Sequence, residues 1–149
     1  MSSQCESEVM SPFELRSELL LHVAEIDEQH RVLLARARAL RDSIDAAKPL
    51  QELEAMLSAL IDFTEMHFHT EEDLMVAHGY EGYGAHKAAH TELLDQAYVV
   101  RRELSIGAIG PCHVLSLFIQ DWTTEHILGL DKQLFAFLAS KRPSEGLHA

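Results

Sequence analysis

The apolar positions of the chain fall into four helical series. In the first stretch Leu19, Val23, Ile26, His30, Leu33, Ala37, Leu40 and Ile44 follow a 4-3-4-3 spacing. That spacing is the seam of a helix packed in a left-handed bundle. Leu53, Leu57, Leu60, Thr64, His67, Glu71 and Leu74 repeat it in the second stretch, and His86, His90, Leu93, Ala97, Val100 and Leu104 in the third. Leu115, Ile119, Trp122 and His126 continue it in the fourth. Breakers separate the stretches at Lys48-Pro49, at Gly79 to Gly84 and at Gly107 to Pro111, and Arg142-Pro143 ends the last one. No stretch alternates like a strand. The expected fold is all-α: an up-down-up-down four-helix bundle over residues 14–142, with a disordered tail at 1–13 and a second tail at 143–149.

The seam carries an unusual load. His30, His67, Glu71, His86, His90 and His126 occupy core positions on four different helices. A buried His or Glu costs several kcal/mol unless it finds a partner. A lone seam histidine is ordinarily bonded to a neighbour, but six such positions call for a shared partner. His67 and Glu71 are four residues apart, as are His86 and His90. Each pair therefore projects from nearly one helix face, about 6 Å apart along the axis. Imidazole and carboxylate without thiolate suit iron, zinc or manganese. Such pairs can grip one metal ion or two neighbouring ions, so a mono- or di-metal centre is expected in the core. The ferritin-like route to two metals needs two interior Glu-x-x-His strings. The single such string here, Glu145 to His148, lies beyond Pro143 and does not fit.

Composition narrows the remaining possibilities. The 149 residues suit one domain, and a net charge of −12 argues against nucleic acid or an anionic membrane as partner. No apolar run is long enough to span a membrane. The polar, acidic start does not resemble a signal peptide, so a cytoplasmic location is expected. Cys5 and Cys112 have no metal spacing and are expected to be free thiols.

The motifs resemble those of the haemerythrin family. Ile26-Asp27-Glu28-Gln29-His30 is similar to its first motif, and His67-Phe68-His69-Thr70-Glu71-Glu72 followed by Met75 to its second. Gly79-Tyr80 with His86-Lys87-Ala88-Ala89-His90 is similar to the third, and Trp122 with His126-Ile127 and Asp131 to the fourth. The resemblance covers roughly residues 15 to 140. It implies two irons bridged by an oxo or hydroxo group and by Glu71 and Asp131. His86, His90 and His126 would hold one iron. His30 and His67 would hold the other, which keeps an open position for dioxygen or small anions. It also implies an oxygen-binding protein rather than an enzyme, serving storage, delivery, transport or sensing. The alternatives are a di-iron oxidase or peroxidase acting on dioxygen, peroxide or nitric oxide, iron storage or regulation, and, more distantly, a structural zinc bundle.

Several positions carry further expectations. Leu33, Phe68, Trp122, Thr123 and Ile127 flank ligands and are expected to line the pocket, although their spacing also suits plain core. Asp27 is either an orienter of His30 or a surface charge. Asp131 lies about 140° from His126 on an ideal helix, and Leu130 has the seam phase instead. Either the carboxylate reaches sideways or the helix widens near Gly129. Family members carry an apolar residue where this chain has Thr123. Its hydroxyl either bonds back to the Ile119 carbonyl or holds a water or anion beside the open iron. The chain also departs from the family at Leu15, ordinarily Trp, and His22, often Gly. His69, His78, His113 and His148 are expected not to be ligands.

Overall fold

The structure, a computed structural model, describes residues 24–125 and 129–141. Leu15, His22, His126, Ile127 and His148, the terminal segments expected to be tails, and the N-terminal end of the first seam lie outside the described residues. Five helices follow one another: α1 (Ala24–Asp45), α2 (Leu50–Ala77), α3 (Tyr83–Ser105), α4 (His113–Glu125) and α5 (Asp131–Lys141). The described residues contain no strand. Helix α1 packs on α2 and α4, and α2 packs on α3. The Trp122 indole N–H on α4 donates to the Leu93 carbonyl on α3 at 2.9 Å, which closes the ring of helices.

The predicted seams are the buried faces, except that Leu93 and Val100 of the third seam are only half-buried. Ile26, His30, Leu33, Ala37, Leu40 and Ile44 are all buried on α1, as are Leu53, Leu57, Leu60, Thr64, His67 and Glu71 on α2. Two deviations follow from the ends of helices. Leu74 is half-buried while Met75 is buried, because the α2 seam drifts by one residue in its last turn. Gly84, counted among the breakers, lies inside α3, which starts at Tyr83 with Gly82 as its cap.

The first three helices end alike. Lys48 N–H donates to the Ser43 carbonyl, Tyr80 N–H to Met75, and Ala108 N–H to Glu103. Each is the six-residue closure that satisfies an orphan carbonyl at a helix end and demands a left-handed residue just past it. Gly79 and Gly107 supply that conformation at φ 64° and 81°, whereas the first turn uses Ala47 at φ 58°. His78 caps α2, its Nδ1 3.0 Å from the Leu74 carbonyl.

The core divides into two apolar clusters. The larger spans Leu33, Leu34, Leu40, Leu53, Leu57, Leu60, Ile61, Leu104, Leu115, Ile119 and Trp122, with others packed against it. The smaller gathers Ile26, Met75, Leu134, Phe135 and Leu138. Along α1 and α2 the polar residues His30, His67 and Glu71 fall between the residues of the two clusters.

Candidate metal centre

Four helices deliver six polar side chains to one place. His30 comes from α1, His67 and Glu71 from α2, His86 and His90 from α3, and Asp131 from the start of α5. All six are at most 4% exposed. Their donor atoms form two overlapping groups, His30, His67, Glu71 and Asp131 in one and Glu71, His86, His90 and Asp131 in the other. Within each group the atoms lie within 4.8 Å of one another.

The two carboxylates divide their oxygens between the groups. Glu71 Oε2 lies 3.0 Å from His67 Nε2 and 3.4 Å from His30 Nε2, and Asp131 Oδ2 lies 2.8 Å from His30 Nε2. Glu71 Oε1 lies 3.1 Å from His90 Nε2 and 3.6 Å from His86 Nε2, and Asp131 Oδ1 lies 3.2 Å from His86 Nε2. Each carboxylate thus presents one oxygen to each histidine pair, the arrangement of a bridging ligand.

Asp131 reaches this position because the helix widens, one of the two routes open from sequence. Residues 129–130 form a π turn that leads into α5. A π turn adds one residue to the helical repeat and advances the following side chains around the axis. Asp131 therefore takes the inward position with 0% exposure, and Leu130 is left half-buried.

Protonation shows what the site needs. Burial pulls the His67 imidazole down, but Glu71 and Asp131 outweigh it and raise its pKa to about 9. His86 likewise is lowered by burial and raised by Asp131 and Glu71 to about 9. His30 is also pushed above its ordinary value, burial opposing and Asp131 and Glu71 prevailing. Burial and Asp131 push the Glu71 carboxyl up, and His67 and His30 reverse this to hold it below the usual carboxylate range. The two anions draw cations into the core, and in the metal-free chain protons fill that role.

The outward nitrogens fix the tautomers. His90 Nδ1 lies 2.9 Å from Glu72 Oε2. A carboxylate only accepts, so Nδ1 carries the hydrogen and Nε2 turns toward Glu71. His67 Nδ1 lies 2.8 Å from Gln29 Oε1, and the Gln29 amide nitrogen faces Thr70 Oγ1 and Met66 Sδ. Once the inward nitrogen is deprotonated, its lone pair points at carboxylate oxygens, and a cation between them resolves the repulsion. The donor set, its burial and its tautomers therefore fit a pair of imidazole- and carboxylate-bound metal ions.

Sequence reasoning missed three contributors. Gln29 and Glu72 are the outward partners of His67 and His90; both sit next to a ligand position in the motifs, which is the signal that could have found them. Asp27, open from sequence between an orienter of His30 and a surface charge, is half-buried one turn before His30. Phe135 from α5 meets the His30 ring edge-on at 6.4 Å, and only the three-dimensional closure of the bundle brings it there.

The expected pocket residues fall into different places. Phe68 stacks on His90, ring centroids 3.7 Å apart and planes 3° from parallel. Leu33 and Trp122 are part of the larger apolar cluster. The Thr123 hydroxyl donates to the Ile119 carbonyl at 2.8 Å, the first of its two alternatives, so its proton is spent within the helix. Thr64 does the same with Leu60. His69 is exposed, with Asp73 4.0 Å away, and Cys112 is a free, exposed thiol.

Comparison with known proteins agrees with this geometry. The family described as "Hemerythrin HHE cation binding domain" matches residues 21–138. A bacteriohemerythrin of Methylococcus capsulatus is 32% identical over 111 residues, 74% of this chain and 84% of that protein. A hemerythrin-like protein of Naegleria gruberi is 31% identical over 123 residues, 83% of this chain and 91% of its own length. The crystal structure of a wild-type hemerythrin superposes with a TM-score of 0.69 at 32% identity, covering 74% of this chain and 85% of that one. No described helix is long and apolar enough to cross a membrane. The chain belongs to the haemerythrin family, whose members hold a pair of non-haem irons.

Proposed function

We propose that this chain is a reversible dioxygen-binding protein built on a single bundle domain at residues 14–142. Its iron pair would be held by His30, His67, Glu71, His86, His90, His126 and Asp131. The observation that carries the reading is the divided carboxylates: Glu71 and Asp131 each offer one oxygen to the His30–His67 side and one to the His86–His90 side. When bound, an iron pair supplies the two electrons that reversible dioxygen binding requires.

The protein's own residues set the conditions for reversibility. The outward hydrogen bonds of His67 and His90 orient the rings and hold their donor nitrogens inward. Phe68 and Phe135 cover ring faces and edges with apolar surface. That wall keeps water and protons away from the site, and the Ile119 carbonyl ties up the one hydroxyl proton of Thr123. Among the described residues, no buried acid or base at the centre lies outside the set that fits metal ligation, apart from histidine partners. This favours binding over turnover of peroxide or nitric oxide.

The test is anaerobic reduction of the iron-loaded protein followed by alternating exposure to air and vacuum. A visible charge-transfer band that appears and disappears over repeated cycles is expected. A band that decays within one cycle to a ferric product would place the chain among oxidases instead.

A further inference from the structure

The two histidines with visible outward partners are treated differently. His67 leans on a neutral amide, Gln29, while His90 leans on the carboxylate of Glu72. Glu72 is 17% exposed, and its second oxygen, Oε1, faces the Lys87 ammonium at 3.9 Å. Lys87 also lies over the Tyr83 ring at 5.8 Å and is half exposed. A line of charge therefore runs from the surface inward: Lys87, Glu72, His90 and then the centre.

A hydrogen bond to an ionised acceptor is about twice as strong as one between neutral groups. Donating Nδ1–H to a carboxylate shifts electron density toward Nε2 and makes the imidazole a stronger donor to whatever it ligates. A neutral amide does this far less. We propose that Glu72 is a positioning residue that sets the donor strength of His90, and through it the reduction potential of the metal His90 holds, with Lys87 as its surface counter-charge. The stronger donor favours the ferric state, so Glu72 holds the potential down. Lys87 draws charge from Glu72 and moderates that effect. Lys87 is the exposed end of the line, so any ligand or modification that neutralises it tunes the centre without entering the core.

The inference rests on the metal-binding reading above. Metal content and midpoint potential are measured on the iron-loaded wild type and on Glu72→Gln, Gln29→Glu, Lys87→Met and the Lys87→Met/Glu72→Gln double variant. Glu72→Gln is expected to raise the potential and Gln29→Glu to lower it. Lys87→Met is expected to lower it in the wild-type background and to leave it unmoved beside Glu72→Gln. Glu72→Gln that holds two irons at the wild-type potential overturns the proposal. So does a Lys87→Met shift of equal size in both backgrounds, because the charge would then act through space and not through Glu72. If Glu72→Gln fails to load iron, Glu72→Asp takes its place in the same comparison, because the shorter carboxylate cannot keep the 2.9 Å bond to His90: a Lys87→Met shift that shrinks beside it sustains the proposal and an equal shift overturns it. A wild type that binds fewer than two irons defeats the metal-binding reading itself, which the potentials do not address.

Discussion

The larger apolar cluster and the polar layer beside it share α1, α2 and α3, the first completed by α4 and the second by Asp131 of α5, but they are held together by different forces. Leu53, Leu57, Leu60 and Ile61 need only to leave water, and their stabilisation is spread over many contacts. His30, His67, Glu71, His86, His90 and Asp131 lose hydration on burial, and beyond their own hydrogen bonds they need cations, protons or metal ions, to offset that cost. The apolar region is therefore indifferent to metal and sensitive to volume. The polar layer is sensitive above all to charge. One fold keeps a stable frame next to a layer that is costly until it is filled.

The largest expected effect separates the two regions by substitution. Glu71→Ala or Asp131→Ala removes a carboxylate that faces both histidine pairs and should lose one or both irons, read by metal analysis. Leu57→Ala should cost about 2–5 kcal/mol of stability and keep its iron. If Leu57→Ala emptied the centre while Glu71→Ala did not, the division between the regions would be wrong.

Metal removal comes next. Binding to the folded chain alone adds about 4 kcal/mol when free metal is a thousandfold above its dissociation constant. The apo-protein should therefore melt well below the loaded one in calorimetry. Equal melting temperatures would mean that the polar layer is satisfied without metal.

The pH dependence of the apo-protein sharpens the contrast, because there protons are the cations. His67 and His86 rise from 6.5 to about 9 on folding, so their contribution is complete below pH 6.5 and lost as pH rises through 9. Glu71 is lowered from 4.5, so its contribution is present above that value and lost on further acidification. The apo-protein should be most stable between about pH 4.5 and 6.5 and weaker at pH 9. Metal binding needs deprotonated imidazoles, so the melting gap between loaded and apo forms should widen from pH 6 to 9. An apo-protein that melts higher at pH 9 than at pH 6 contradicts the assigned role of protons.

The smallest effect lies outside both regions. Ala47 stands at φ 58° where the two equivalent turns use glycine. Ala47→Gly should relieve left-handed strain and raise stability by about 1 kcal/mol after glycine's own entropy cost. Chemical denaturation would detect it, with iron content unchanged.

Much of this architecture was legible because helical periodicity and ligand spacing are local properties. The α1 seam runs from Ile26 to Ile44 as its spacing predicts, and His67 with Glu71 and His86 with His90 come together from i,i+4 pairs. Asp131 was legible only as a conflict, since straight-helix geometry assigns its place to Leu130 and only the π turn at 129–130 resolves it. The partners Gln29 and Glu72 escaped because a polar residue beside a ligand looks like any solvated residue until the neighbouring helix is in place. Phe135 escaped for the same reason: it meets His30 across 105 positions of sequence, from 30 to 135. Thr123 was open between two roles that sequence spacing cannot separate, and the bond to Ile119 fills one of them.

The most direct test of the central claim is the metal content of the protein expressed with iron and zinc both available. The account predicts two irons per chain in the wild type, and fewer than two, with loss of the charge-transfer band, in Glu71→Ala. One zinc per chain without iron, or two irons that survive in Glu71→Ala, would contradict it.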